Sequence, residues 1–81
     1  MVRGGEIMFQ REPKEDGWWL VGSILCPNET VAIIVENYLN KKITYKEFEN
    51  KLNDQKLAYE LELEIKKQAK KLYPPTKGKG R

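Results

Sequence analysis

Two apolar segments separated by a polar, turn-forming stretch occupy the first third of the chain. The segments 6–11 and 18–25 are rich in aromatic and β-branched residues. Between them lies Pro13-Lys14-Glu15-Asp16-Gly17, in which proline and Asp-Gly favour a turn. We therefore predict an N-terminal β-hairpin with a loop of five or six residues.

Both faces of the second predicted strand are apolar. Side-chain alternation gives two sets of large residues: Trp18, Leu20 and Ile24 on one face, and Trp19, Val21 and Leu25 on the other. Gly22 interrupts this strand, which indicates a bulge or a close backbone approach. One face is expected to meet the helices, and the other a third element, a partner or water. Adjacent Trp18 and Trp19 point in opposite directions, so either one is exposed or both pack in the core or its rim.

The next element repeats apolar residues with the period of a helix. The stripe consists of Val31, Ile34, Val35, Tyr38 and Leu39. Pro27 suits the start of a helix, and Asn40-Lys41-Lys42 suits its end. A strand over Thr30–Val35 is the alternative, because that run is β-branched. The helix is favoured because its stripe extends beyond the short apolar run.

A second helix start is indicated at Ile43–Phe48. Thr44 and Glu47 have the spacing of a capping box, while Ile43 and Phe48 have that of a hydrophobic staple. Glu47 and Lys51 are also spaced for an ion pair along this helix.

Residues 56–66 carry two competing periods. Apolar and charged residues alternate as in a strand, whereas one set also forms a helical stripe: Leu57, Ala58, Leu61, Ile65, Ala69 and Leu72. The helix is favoured by its leucine, glutamate, lysine and alanine content. A continuous helix would carry a second stripe of Tyr45, Phe48, Leu52, Tyr59 and Leu63, more than a lone hairpin can cover. This surplus favours either a break near Asp54 or a dimer, and we expect the break.

Together these elements predict one small α+β domain over residues 1–73, followed by a basic Pro/Gly/Lys tail over residues 74–81. The domain is an N-terminal β-hairpin followed by two or three α-helices, and the tail is expected to be flexible. Eighty-one residues bury only a modest core. An enclosed substrate cleft is therefore not expected.

Lysine and glutamate are abundant and glutamine is scarce, a balance typical of proteins from hot environments and also of AT-rich genomes.

The chain lacks histidine and has one cysteine, Cys26. The commonest general base and metal ligand are thus missing, so we predict no catalytic residues, no metal site and no cofactor. The lone thiol excludes an internal disulfide and favours a reducing compartment.

The N-terminus is too short and polar for a signal peptide, and the longest apolar run, Val31–Val35, cannot span a membrane. A cytoplasmic protein is expected.

Charge is distributed unevenly along the chain. No acid occurs after Glu64, whereas six lysines and one arginine follow: Lys66, Lys67, Lys70, Lys71, Lys77, Lys79 and Arg81. Lysines of this kind neutralise phosphates and release counterions. Trp18, Trp19 and Tyr73 are candidate stacking surfaces. We predict non-enzymatic, sequence-independent binding to the backbone of DNA or RNA, as in an accessory subunit of a nucleoprotein assembly.

Two other interpretations of the same features remain. The basic residues also suit a solubilising tail, and the surplus apolar stripes suit a protein-interaction module, either a homodimer or a small accessory or viral protein. Neither requires contact with nucleic acid. A membrane-surface role is disfavoured because no strong apolar face lies beside the lysines.

Overall fold

The computed structural model describes residues 8–74 and confirms the predicted α+β class. Three short antiparallel strands come first: β1 (Arg11–Pro13), β2 (Trp19–Val21) and β3 (Ile24–Cys26). Three helices follow: α1 (Glu29–Leu39), α2 (Tyr45–Asp54) and α3 (Tyr59–Leu72). No helix within the described range is long and apolar enough to cross a bilayer.

The predicted strand over residues 18–25 is in fact two strands joined by a tight turn. Val21 pairs with Ile24, so Gly22 and Ser23 form the loop of a second hairpin. Gly22 has φ +62° and Ser23 is not in the positive-φ region, the pattern of a type II′ turn. The expected bulge at Gly22 is therefore wrong, whereas the expected close approach is confirmed. A Cβ there would lie 3.2 Å from side-chain atoms of Phe9 and Leu72.

The turn changes which residues share a face of the sheet. Residues paired across an antiparallel hairpin lie on the same face, so Ile24 joins Val21 and Leu25 joins Leu20. The predicted grouping of Ile24 with Leu20 is therefore wrong. Val21 and Ile24 are buried beneath the helices, whereas Leu25, on the opposite face, is 48% exposed.

The first strand begins later than predicted. Residues 8–10 are not in a strand, and residues 6–7 lie outside the described range. The reason is that the Asn40 side-chain amide occupies the backbone groups of Phe9. Its Oδ1 accepts from the Phe9 amide at 2.7 Å, and its Nδ2 donates to the Phe9 carbonyl at 3.0 Å. One side chain thus replaces a strand partner and ties the N-terminal segment to the end of α1.

The segment over residues 30–35 is helical, which confirms the favoured interpretation. The Asn28 side chain caps α1 by accepting from the Val31 amide at 3.0 Å. Arg11 joins the sheet to this helix, with its Nη1 2.6 Å from Glu36 Oε1 and its Nε 3.7 Å from Glu29 Oε2. These ion pairs link β1 to the start and the middle of α1.

Both bonds of the predicted capping box are present at the start of α2. Thr44 Oγ1 accepts from the Glu47 amide at 3.2 Å, and Glu47 Oε1 accepts from the Thr44 amide at 2.9 Å. Phe48 is fully buried, and Ile43 packs against the same core. The predicted Glu47–Lys51 pair is not among the ion pairs of residues 8–74, because the Glu47 carboxylate is engaged by the cap.

The chain breaks between α2 and α3, as expected. Lys56 adopts a left-handed conformation with φ +55° and turns the chain into α3. The helical interpretation of the following segment is confirmed from Tyr59 onward. Asp54 does not cap the new helix, because Ala58 occupies the cap position without a side-chain bond.

The core lies between one face of the sheet and the three helices. Helix α1 packs across all three strands, while α3 packs on β3 and both helices. The core is built from buried apolar side chains: Val21, Ile24, Cys26, Val31, Ala32, Ile34, Val35, Tyr38, Leu39, Phe48, Leu52, Ile65 and Ala69. The other face of the sheet is not covered by any element of residues 8–74.

Candidate nucleic-acid interface

An aromatic cluster joins the ends of the three helices. Tyr38 of α1 lies at its centre, with its ring 4.7 Å from that of Phe48, 5.6 Å from that of Tyr45 and 5.0 Å from that of Tyr73. The Tyr38 hydroxyl donates to the Tyr73 carbonyl at 2.6 Å. This bond holds the chain in place where it leaves α3.

Two lysines from different elements lie over this cluster. Lys41 Nζ is 5.6 Å from the centre of the Tyr73 ring, and Lys70 Nζ is 5.4 Å from that of Tyr45. Both distances are within the range of cation–π attraction. We call Lys41, Lys42 and Lys70 the basic end. Lys41 and Lys70 contact rings of the aromatic cluster, and Lys42 follows Lys41 in sequence and is exposed.

The four predicted lysines of α3 have different surroundings. Lys66 is half-buried, with its Nζ 3.3 Å from Glu62 Oε2 and 3.9 Å from Glu49 Oε2, so its charge is largely compensated. Lys70 is held over Tyr45, whereas Lys67 and Lys71 are exposed and form no ion pair within residues 8–74. The four lysines belong to one basic run in the sequence, but in the folded chain they differ in exposure and in the side chains they contact.

The three candidate stacking residues do not come together. Tyr73 is half-buried between Tyr38 and Lys41, so its ring already has a packing role. Trp19 is half-buried against the core, and Trp18 is half-buried on the opposite face of the sheet. Neither tryptophan is fully exposed, in agreement with the interpretation that both pack in the core or its rim.

The remaining predicted contacts, Lys77, Lys79 and Arg81, lie outside the described residues. Pro74 is the last described residue of the predicted tail. The placement of Tyr73 nevertheless fixes where that segment begins, directly beside Lys41. The described part of the tail therefore begins beside the basic end.

Sequence reasoning missed Lys41 as a member of this region. In the sequence, Lys41 indicates only the end of a helix at residues 40–42. It adopts φ +64°, and its amide donates to the Tyr38 carbonyl at 3.0 Å. Its proximity to Tyr73, 32 residues later, depends on the packing of α1 against α3. No local pattern carries that information.

Two buried or half-buried titratable side chains of the described residues have raised pKa values. Burial raises the pKa of the Cys26 thiol to about 12, so the reactive thiolate is suppressed. Burial, the nearby Glu49 carboxylate and a hydrogen bond to it raise the pKa of the Tyr45 hydroxyl. Within residues 8–74, no group of three or more cysteine or acidic side chains is arranged to hold a metal ion.

We expect the domain to lose stability at alkaline pH. Burial, and then the neighbouring Tyr73 and Tyr45, raise the pKa of the Tyr38 hydroxyl to about 12, above the usual value of 10.0. The folded state therefore retains protons that the unfolded chain has released. The free energy of unfolding should fall as pH rises from about 9, the ordinary pKa of the Cys26 thiol, towards 12.

Urea midpoints at pH 8, 10 and 11, followed by tryptophan fluorescence, would measure this loss. Tyr38→Phe provides the control, because it removes one titrating group and should make the decline between pH 10 and 12 shallower. A flat stability profile across this range would contradict the prediction.

Comparisons with known proteins identified no relative of this chain. No family model matches the chain, and neither the curated proteins nor the solved structures searched gave a match.

Proposed function

We propose that this chain is a non-enzymatic binding protein that contacts the backbone of DNA or RNA through its basic end and C-terminal tail. The contact is electrostatic and independent of base sequence, because lysines greatly outnumber arginines among these cations and bidentate base recognition is best suited to arginine. The role is that of a small accessory subunit of a nucleoprotein assembly. We also propose a cytoplasmic location, which a lone, buried thiol supports.

The observation that carries this proposal is the convergence of Lys41 and Lys70 on the aromatic cluster. Each ammonium lies over a ring, which restricts the side chain, so contact with a phosphate requires less ordering than for a free lysine. Tyr38 fixes the start of the tail beside them. Lys77, Lys79 and Arg81 would then extend the same positive surface along the polyanion.

A protein-interaction module without a nucleic-acid role is the second candidate. The observation that favours it is the uncovered face of the sheet, where Leu25 is 48% exposed beside Trp18. Pro13, Lys14, Glu15 and Asp16 surround these two side chains in a shallow depression. An apolar centre with a polar rim is typical of a weak protein contact site.

Salt-dependent binding to non-specific DNA and RNA would test the first proposal. The logarithm of the association constant should fall linearly with that of the salt concentration, with a slope of about −5 for six phosphate contacts on duplex DNA. Deleting residues 75–81 removes three cations and should make the slope shallower by about 2.5. The double variant K41Q/K70Q should make it shallower by about 2.

The matched control is K46Q/K51Q, which removes two exposed lysines of α2 outside the basic end. Its slope should stay within about half a unit of wild type. Absence of binding at about 50 mM salt, or equal effects of the control and K41Q/K70Q, would reject the basic end as a phosphate-binding surface.

A further inference from the structure

An exposed side of α3, at the edge of the groove between α2 and α3, carries a stripe whose charge changes sign along the helix. Glu60, Glu64, Lys67 and Lys71 follow one another at spacings of four, three and four residues, which places them on one face. All four side chains are exposed. We call these four residues the charged stripe. None of them forms an ion pair within residues 8–74.

Apolar side chains lie exposed directly beside the charged stripe. Tyr59 is 75% exposed and Leu63 is 47% exposed, which makes them the two most exposed large apolar residues of the three helices. Leu63 borders a groove of about 740 Å³ between α2 and α3, and Glu60, Glu64 and Lys67 of the charged stripe form the α3 edge of the same groove. Tyr59 and Leu63 belong to the surplus apolar stripe that the sequence contained, and the break near Asp54 left part of it uncovered.

Each half of the charged stripe carries two like charges, although Glu64 and Lys67 in its middle attract each other at a spacing of three residues. Glu60 and Glu64 repel each other four residues apart, and so do Lys67 and Lys71. The helix dipole favours acids at the N-terminus and bases at the C-terminus, which explains the gradient. It does not explain why two large apolar residues are exposed next to that gradient.

We propose that this face of α3 binds the same face of a second copy of the chain, with the two helices antiparallel. A two-fold axis near residues 65 and 66 places Glu60 of each copy opposite Lys71 of the other, and Glu64 opposite Lys67. Each residue of the charged stripe, which lies next to a like charge in its own helix, then faces an opposite charge on the other helix. Leu63 of both copies lies near the axis and is covered.

In the same arrangement, Tyr59 of the second copy would occupy one end of the groove between α2 and α3. Tyr59 of one copy lies opposite residues 71 and 72 of the other, close to the end of the groove formed by Tyr45 and Lys70. A parallel pairing would instead place acids against acids and lysines against lysines. The charged stripe therefore specifies both the partner, a second copy, and the orientation.

This dimer does not depend on nucleic-acid binding. It assigns Lys67 and Lys71 to protein contact, brings Lys70 of the basic end close to Tyr59 of the second copy, and leaves Lys41 and Lys42 outside the interface. The two basic ends would point in opposite directions along the paired helices, separated by about 20 Å, the length of a fourteen-residue helix. Assays of mass and of nucleic-acid affinity therefore distinguish failure of one proposal from failure of the other.

Sedimentation equilibrium or light scattering of the full chain, from about 5 to 500 µM protein and at about 50 mM salt, tests the dimer. We expect the mass to rise from 9.5 kDa towards twice that value. Raising the salt to about 1 M should weaken the association, because the charged pairs are exposed at the rim. A monomer at every concentration in low salt would overturn the proposal.

Two charge-reversed variants test the face and the orientation together. E60K/E64K gives a stripe of four lysines, and K67E/K71E gives a stripe of four glutamates. Each should self-associate about a hundredfold more weakly than wild type. An equimolar mixture should form a heterodimer, because opposite stripes then meet along their whole length. Recovery on mixing also shows that neither variant has merely failed to fold.

K46E/K51E makes the same charge change as K67E/K71E at two exposed lysines of α2 and should dimerise like wild type. Three further results would overturn the proposal: both reversed variants remaining dimeric, their mixture remaining monomeric, or the control variant losing the dimer. Circular dichroism of each variant at 222 nm would confirm that the helices are intact before masses are compared.

Discussion

Replacing Phe48 with alanine should destabilise the domain by about 3–5 kcal/mol. The side chain is 0% exposed, and its ring stacks on that of Tyr38 at 4.7 Å with an angle of 19° between the planes. Removing it leaves a cavity beneath the aromatic cluster, where α1 and α2 meet. Domains of this kind have a total stability of only roughly 0.05–0.15 kcal/mol per residue. We therefore expect a large unfolded fraction at 37 °C.

Urea unfolding monitored by tryptophan fluorescence would give the loss directly. Ile33→Ala is the matched control, because Ile33 is a large aliphatic residue of α1 that is 38% exposed. The free energy of unfolding should fall by about 1 kcal/mol or less in Ile33→Ala, because more than a third of that side chain is already in solvent. A loss below about 1 kcal/mol for Phe48→Ala would show that the aromatic cluster is not the packing centre described above.

Gly22→Ala should destabilise the domain by about 2 kcal/mol. Two effects combine at this position. A φ of +62° disfavours any side chain, and the new Cβ would lie 3.2 Å from atoms of Phe9 and Leu72. Those two residues belong to opposite ends of the described chain, so displacing them loosens both the N-terminal segment and the end of α3.

Gly17→Ala separates the two effects. Gly17 has φ +81°, but nothing lies within 4 Å of an added Cβ. Gly17→Ala should therefore lower the free energy of unfolding by about 1 kcal/mol, from backbone strain alone. Chemical denaturation of both variants measures the difference. Equal losses would show that the contacts of Phe9 and Leu72 with the turn contribute nothing to stability.

Local signals in the sequence predicted the helices well. The capping box at Thr44 and Glu47 acts through groups three residues apart, so its geometry follows from the helix itself. The apolar stripe of α1 likewise specified which of its residues face the core. The break near Asp54 followed from counting apolar residues against the surface available to cover them.

The sheet was predicted less well because its strands are only three residues long. Over so short a stretch, a continuous apolar strand and two strands joined by Gly22-Ser23 differ little in composition. The difference reverses the faces of Ile24 and Leu25, since a turn resets the alternation. Likewise, the pairing of Phe9 with the Asn40 amide joins residues 31 positions apart, which no local pattern encodes.

The charge asymmetry between the two parts of the chain is determined by the sequence alone, because net charge requires no fold. The helix starts are equally local. Only the tertiary structure decided how the lysines are divided among an internal ion pair at Lys66, an exposed stripe at Lys67 and Lys71, and the basic end at Lys70. The same packing brought Lys41 beside Tyr73. The physical reason is that the interactions of a charge depend on distances across helix contacts, and those distances are set by the core.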